Sequence, residues 1–285
     1  EFLLSRRERN LPAIQDISEH ELESVTADAV RTANQYFQSI ASGHPFWRLD
    51  SERLLSEDQP GGSVFRKFIQ RERELKPFEL RPRFFEISFG GEGHAPKTPI
   101  DPILSQNEPV SMGGFKLRGK IDRIDVSREL EDGTLEGNSF AIIDYKSGKE
   151  TPSWSQIDRG LSLQLPLYLR VAEDLLRSHI PELKGVAALY QKLLTDDSKR
   201  KLGLAIKEYA EVAFEKLRGR NGYVESPEKL AEIIDATIMK AKTYVDGVAS
   251  GHFPLANRDL ITQCQYCSYG TVCRVKEADE AGVLR

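Results

Sequence analysis

The stretch "AIIDYKSGKE", residues 141–150, decides how the chain is read. A short apolar run centred on Ile142 and Ile143 ends in Asp144 and Lys146, two residues apart. On a strand such residues project to one face, so both side chains enter one space. A solvated turn accommodates the pair. So does an active site in which an aspartate binds Mg²⁺ or Mn²⁺ and a lysine orients or deprotonates a water. The triplet alone decides little, because D-x-K recurs at Asp197 and Lys199 in the hydrophilic run "TDDSKRK" (195–201), with no strand pattern beneath it.

The surroundings separate the two triplets. "GKIDRID" (119–125) lies in the strand before "SFAIIDYK" (139–146), and the acidic connection between them suits an antiparallel hairpin. Asp122 and Asp144 then converge, which is costly for two carboxylates unless a cation sits between them. Gly119, three residues before Asp122, lets backbone or substrate approach closely. The competing arrangement is two local ion pairs, Asp122 with Arg123 and Asp144 with Lys146.

Patterning places helices over 18–41, with Ser18 and Glu21 as a capping box, and near 46–56 and 62–75. "RPRFFEISFG" (81–90) reads as a strand with Phe84, Glu86 and Ser88 on one side and Phe85, Ile87 and Phe89 on the other. Residues 91–113 read as loop and 115–127 as one strand. A helix over 160–178 follows, tolerating Pro166 only near its first turn, then a strand over 185–194. Helices over 204–219 and 227–249 precede a cysteine segment. This order predicts a mixed α/β domain with the sheet in the middle.

Composition bounds the function. The chain has 285 residues, 39% hydrophobic and 29% charged, with no apolar run near the roughly 18–20 residues of a membrane helix. The N-terminus shows no signal-peptide pattern and opens without Met, as a piece of a longer protein would, and a cytoplasmic home is expected. The net charge of −4 gives no global attraction to nucleic acid. Local strips such as "SRRER", "RPR" and "LRGKIDR" can hold phosphates, or can be plain solvated faces.

Three cysteines occur, Cys264, Cys267 and Cys273, spaced C-x2-C-x5-C. An odd, clustered set is wrong for a disulfide framework and fits a metal or cluster site. Zinc takes four ligands, so a Cys3His site would need His252; three free thiols are the plain alternative.

"GKIDRID", "AIIDYKSG" and "QLPLYL" (164–169) together resemble the RecB-like branch of the PD-(D/E)XK nucleases, whose pattern runs G-x-x-D, D-x-K, Q-x-x-x-Y. The matches are Gly119/Asp122, Asp144/Lys146 and Gln164/Tyr168. The resemblance implies a restriction-endonuclease-like mixed sheet flanked by helices, one nuclease domain over 1–285. Its parts would be helices (1–79), sheet core (80–194), helices (195–255) and the cysteine segment (256–285). It implies Asp122, Asp144 and the backbone carbonyl of Tyr145 as metal ligands for Mg²⁺ or Mn²⁺. Lys146 would act on the water or on developing phosphorane charge. Gln164 and Tyr168, four apart on one helical face, would flank the site; a core aromatic with a satisfied neighbour is the alternative for these two.

The family's histidine motif, often H-x-x-L-E, is matched only by "HELE" (20–23) at the wrong spacing, so His20 reads as a surface residue and the motif is expected upstream of Glu1. The cysteine spacing is similar to the C-terminal part of the iron–sulfur nuclease domains of AddB-type helicase–nuclease subunits. That implies a 4Fe–4S cluster whose fourth cysteine this chain does not carry. DNA and a helicase subunit, or an N-terminal helicase-like region, would be the partners, in double-strand-break repair and recombination, with no membrane. A stand-alone RecB-like exonuclease of the CRISPR-associated type and a non-catalytic DNA-binding module are the alternatives.

Overall fold

The computed structural model describes residues 1–40, 46–56, 58, 62–74, 80–91, 100–127, 135, 137–147, 151–193, 200–213, 222–252, 268 and 272. Glu1–Ala241 forms one compact unit and Lys242–Arg285 another. Four helices come first: α1 (Phe2–Glu8), α2 (Leu22–Ile40), α3 (Trp47–Leu55) and α4 (Val64–Glu74). The capping box forms as expected: the Ser18 amide donates to Glu21 at 2.8 Å and opens a short 3-10 turn ahead of α2.

A six-stranded mixed sheet holds β1 (Leu80–Phe89), β4 (Gly119–Ser127), β5 (Ser139–Lys146), β6 (Lys184–Lys192), β7 (Arg200–Ile206) and β8 (Tyr223–Val224), in the order β1-β4-β5-β6-β7-β8. A separate ribbon pairs β2 (Val110–Met112) with β3 (Phe115–Leu117). The expected hairpin is present: β4 and β5 pair antiparallel with Arg123 opposite Ile143. β5 and β6 run parallel, with Asp144 opposite Tyr190, so a crossover must join them. That crossover contains α5 (Trp154–Asp158) and α6 (Gln164–Leu176). "FAII" in β5 and "VAALY" in β6 are continuous apolar runs because both faces of these strands are covered.

Two expectations need correcting and two hold with changes. The 115–127 strand is broken at Arg118, because Phe115–Leu117 turns back on Val110–Met112 through Gly113 and Gly114, both with positive φ (54° and 88°). β1 carries a bulge between Pro82 and Phe84; beyond it Phe85, Ile87 and Phe89 are buried and Glu86 and Ser88 half-buried, as the alternation expected, and Phe84 is buried as well. The helix placed at 160–178 is α6, which starts later, at Gln164, with Pro166 in its first turn, where its missing N–H costs nothing; the short α5 lies ahead of it. Residues 204–206 belong to β7, and only Lys207–Ala213 (α7) is helical within the described part of 204–219. α8 (Pro227–Ala249) matches its expected span.

The main core lies between the sheet and α6. A smaller cluster of Ile14, Ile17, Leu22, Val25, Ala29, Phe68 and Ile69 covers the other face, and Tyr145 packs against both. Its ring meets Phe68 edge-on at 6.2 Å. Neighbouring residues of β5 thus face opposite ways, Tyr145 towards α4 and Asp144 and Lys146 towards α6. Among the described residues no helix is long and apolar enough to cross a membrane.

Candidate active site

Asp144 and Lys146 stand at the C-terminal end of β5, the side on which open α/β sheets place ligands. Gln164, the first residue of α6, closes a triangle with them. Its Nε2 donates to Asp144 Oδ1 at 2.6 Å, and its Oε1 accepts from Lys146 Nζ at 3.1 Å. Lys146 Nζ also lies 2.6 Å from Asp144 Oδ2 and 5.5 Å above the Tyr190 ring. Asp144 is 6% exposed, and its Oδ2 accepts no directed hydrogen bond; the lysine beside it is an ion-pair companion.

Asp122, one strand away, accepts the Tyr145 amide N–H at 2.8 Å. Burial first, then the charges of Asp144 and Glu86, push its carboxyl up to about 6 against the pull of the Tyr145 amide and Lys120. Burial also raises Asp144, with Lys146 and Gln164 opposing. A half-buried and a buried carboxylate that each resist ionisation, Asp122 and Asp144, are a donor set that fits a hard divalent cation. Among the described residues no group of three or more His, Cys, Asp or Glu side chains forms a fuller metal cage.

Tyr168 lies one turn along α6 from Gln164, and burial raises its pKa while the Lys120 backbone and the Gln164 side chain oppose that rise. It sits against Gly119: a Cβ there would come within 2.8 Å of the phenol oxygen. Gly119, Asp122, Asp144, Lys146, Gln164 and Tyr168 therefore lie in one place. The core-aromatic alternative for Tyr168 is half right, since its ring also meets Phe89 edge-on at 6.0 Å.

The local-ion-pair alternative fails at Arg123. The next residue along a strand points to the other face, and Arg123 is wholly buried there. It binds Glu72 at 2.8 Å, Asp125 at 2.5 and 2.7 Å, and the Tyr145 hydroxyl at 3.2 Å. Burial opposes its charge, but Asp125 and Glu72 outweigh burial and hold its pKa above the usual value. Gln15 and Gln191 donate to Glu72 in turn, at 3.0 and 2.9 Å. Two of the basic strips are also structural: Arg6 bonds the Pro12 carbonyl, Arg7 pairs with the buried Asp101, and Arg81 with Asp16.

Sequence reasoning overlooked Glu86. It lies on β1 between the residues paired with Arg123 and Ile121, has φ 56° in mid-strand, and pairs with Lys120. A non-glycine residue in that region costs about 1–2 kcal/mol, and no composition signal announces it. His20 is exposed, as expected. Cys264, Cys267 and Cys273 lie outside the described residues, as do Asp197 and Lys199.

The raised Asp122 carboxyl predicts a pH-dependent stability. A folded-state pKa above the ordinary one favours the neutral carboxyl; its stabilisation is complete below 3.8 and lost as pH rises through about 6. The gap corresponds to roughly 3 kcal/mol. Chelator-treated protein is therefore expected to be less stable at pH 8 than at pH 5, and Asp122→Asn to flatten that difference. Urea melts of both proteins at the two pH values read it; an unchanged slope in the variant places the titration elsewhere.

Residues 12–274 match the family model described as the PD-(D/E)XK nuclease superfamily. The chain is also similar to ATP-dependent helicase/deoxyribonuclease subunits of several bacteria. It is 32% identical to that of Alkaliphilus metalliredigens (strain QYMF) over 172 residues, 60% of this chain and 14% of that protein. The figures for Clostridioides difficile (strain 630) are 29% over 167 residues, 59% and 13%. For Clostridium tetani (strain Massachusetts / E88) they are 40% over 97 residues, 34% and 7%. The matched part is thus a small fraction of each relative's length. With the family match running nearly end to end and its three motifs meeting at the end of β5, the chain belongs to the PD-(D/E)XK nuclease superfamily.

Proposed function

We propose that the chain is a deoxyribonuclease domain hydrolysing phosphodiester bonds with Mg²⁺ or Mn²⁺, the nuclease part of a helicase–nuclease that processes DNA ends in the cytoplasm. The observation that carries this reading is the Asp144–Lys146–Gln164 triangle closed beside Asp122. The relatives' names support DNA as substrate and a helicase as partner.

Asp122, Asp144 and the Tyr145 backbone carbonyl would hold the cation, which when bound lowers the pKa of a water and polarises the scissile phosphoryl group. The remaining work belongs to the chain. Lys146 donates from a fixed position to the attacking water or to the charge that develops on the phosphoryl oxygens. Gln164 sets that position by holding the ammonium and Asp144 Oδ1 at once. Tyr168 braces the Gly119 end, and Tyr190, fully buried, gives the ammonium an aromatic floor that excludes water. A 4Fe–4S cluster on Cys264, Cys267 and Cys273 belongs to the same proposal on cysteine spacing alone, and no step of hydrolysis depends on it.

The test is cleavage of end-labelled single-stranded and blunt duplex DNA by the purified chain with Mg²⁺ or Mn²⁺. Loss of cleavage in EDTA is expected. Cleavage that survives chelation, or none with either metal, overturns the reading.

A further inference from the structure

We propose that Lys116 and Arg118 form a phosphate track that delivers a single strand of DNA to Asp122. The inference rests on the nuclease reading and adds to it the path the substrate takes.

The strips "SRRER" and "RPR" spend Arg6, Arg7 and Arg81 on partners, whereas in "LRGKIDR" and the lysine just before it Lys116, Arg118 and Lys120 are exposed and Arg123 is the buried exception. Along "KLRGKID" (116–122) exposure alternates. Lys116, Arg118 and Lys120 are exposed, Leu117 and Gly119 are half-buried between them, and Ile121 is buried. Lys116 is on β3 and Arg118 at the break before β4, and from Lys120 on, within β4, alternate residues stand about 6.6 Å apart. That is close to the spacing of successive phosphates in a stretched strand, and the next alternate residue is Asp122. Lys120 pairs with Glu86, whereas Lys116 and Arg118 have no ion-pair partner among the described residues.

These two cations line a built groove. Adjoining concavities of about 520 and 410 Å³ share Gly90, Asn107 and Arg118. The first reaches Gly119, on which Tyr168 rests; the second includes Lys116. The far wall is pinned to the end of β1. The Gln106 amide donates to the Ser88 carbonyl at 2.9 Å, and the Gly90 amide to the Glu108 carbonyl at 3.1 Å. A groove with fixed walls, a side-chain amide at Asn107 and two unspent cations suits a phosphodiester backbone. Glu108 is the acidic residue among the described lining, and it lies at the end away from Gly119.

The test uses the double variant Lys116→Ala/Arg118→Ala and the conservative Arg118→Lys, both at exposed positions. Binding of a fluorescein-labelled oligothymidylate in EDTA, followed by anisotropy over a salt series, reads the track without any cleavage. The double variant is expected to bind about five- to thirty-fold more weakly, with the log–log salt slope reduced by about 1.4, and Arg118→Lys to keep most of both. In Mn²⁺, the ratio of oligothymidylate cleavage to hydrolysis of thymidine 5′-(p-nitrophenyl phosphate), too short to enter the groove, is expected to fall at least about fivefold. An unchanged salt slope, or equal losses on both substrates, overturns the track. A wild-type chain that hydrolyses neither substrate overturns the nuclease reading, and the EDTA binding series still decides the track.

Discussion

Asp144→Ala and Lys146→Ala are each expected to reduce cation-dependent cleavage of single-stranded DNA by about a thousandfold or more, leaving the domain folded. The two losses differ in kind. Without Asp144 the donor set drops to one carboxylate, so added Mn²⁺ recovers little. Without Lys146 the cation can still bind, and the missing function is the charged donor fixed by Gln164. Stability should barely move in either case. The Asp144 carboxyl already resists ionisation because it is buried, so removing it relieves a cost. Lys146 is partly exposed at the strand end and can be shortened without opening a cavity. Cleavage assays beside circular-dichroism melts check both halves. Full activity in either variant would sink the assignment.

Arg123→Ala is expected to do the reverse, destabilising the protein while leaving Asp122 and Asp144 in place. It strips the shared counter-charge from Glu72 and Asp125, both buried, and leaves their oxygens in a dry interior. Removing one member of such a pair typically costs about 3–5 kcal/mol. For a chain of this size that lowers the melting temperature by about 10 °C. The loss should shrink when Glu72→Gln is added, because one stranded charge goes with it; a double-mutant cycle reads that coupling. Additive losses would mean that Arg123 serves only as packing.

The site was more legible than its setting, for a physical reason. Asp144 and Lys146 are fixed by a period of two, and Gln164 and Tyr168 by a spacing of four on a helix. These are local rules that survive without knowledge of neighbours. Arg123 was legible by the same rule, since a residue adjacent to Asp122 on a strand points away from it, and pairing by proximity in sequence hid this. The Gly113–Gly114 turn was also readable. Two glycines between "VSM" and "FKL" are a hairpin signal, and reading 91–113 as loop passed over it. β7 was harder, because "KLGLAIKEYA" joins a strand to a helix without a breaker and the helical periodicity of its second half spreads backward. The φ of Glu86 and the partners of Glu72 depend on packing among distant segments, and no local pattern encodes them.

The parallel pairing of β5 and β6 sets an order of assembly. A ribosome-bound chain that has emerged only as far as the β4–β5 hairpin carries Asp122, Asp144 and Lys146 but no Gln164 to hold them. The triangle closes only after α6 has crossed over and β6 has docked beside β5, a long-range step that follows local hairpin and helix formation. On the proposed reading, a chain still on the ribosome stays unarmed until α6 and β6 have emerged, and the act of folding completes its site.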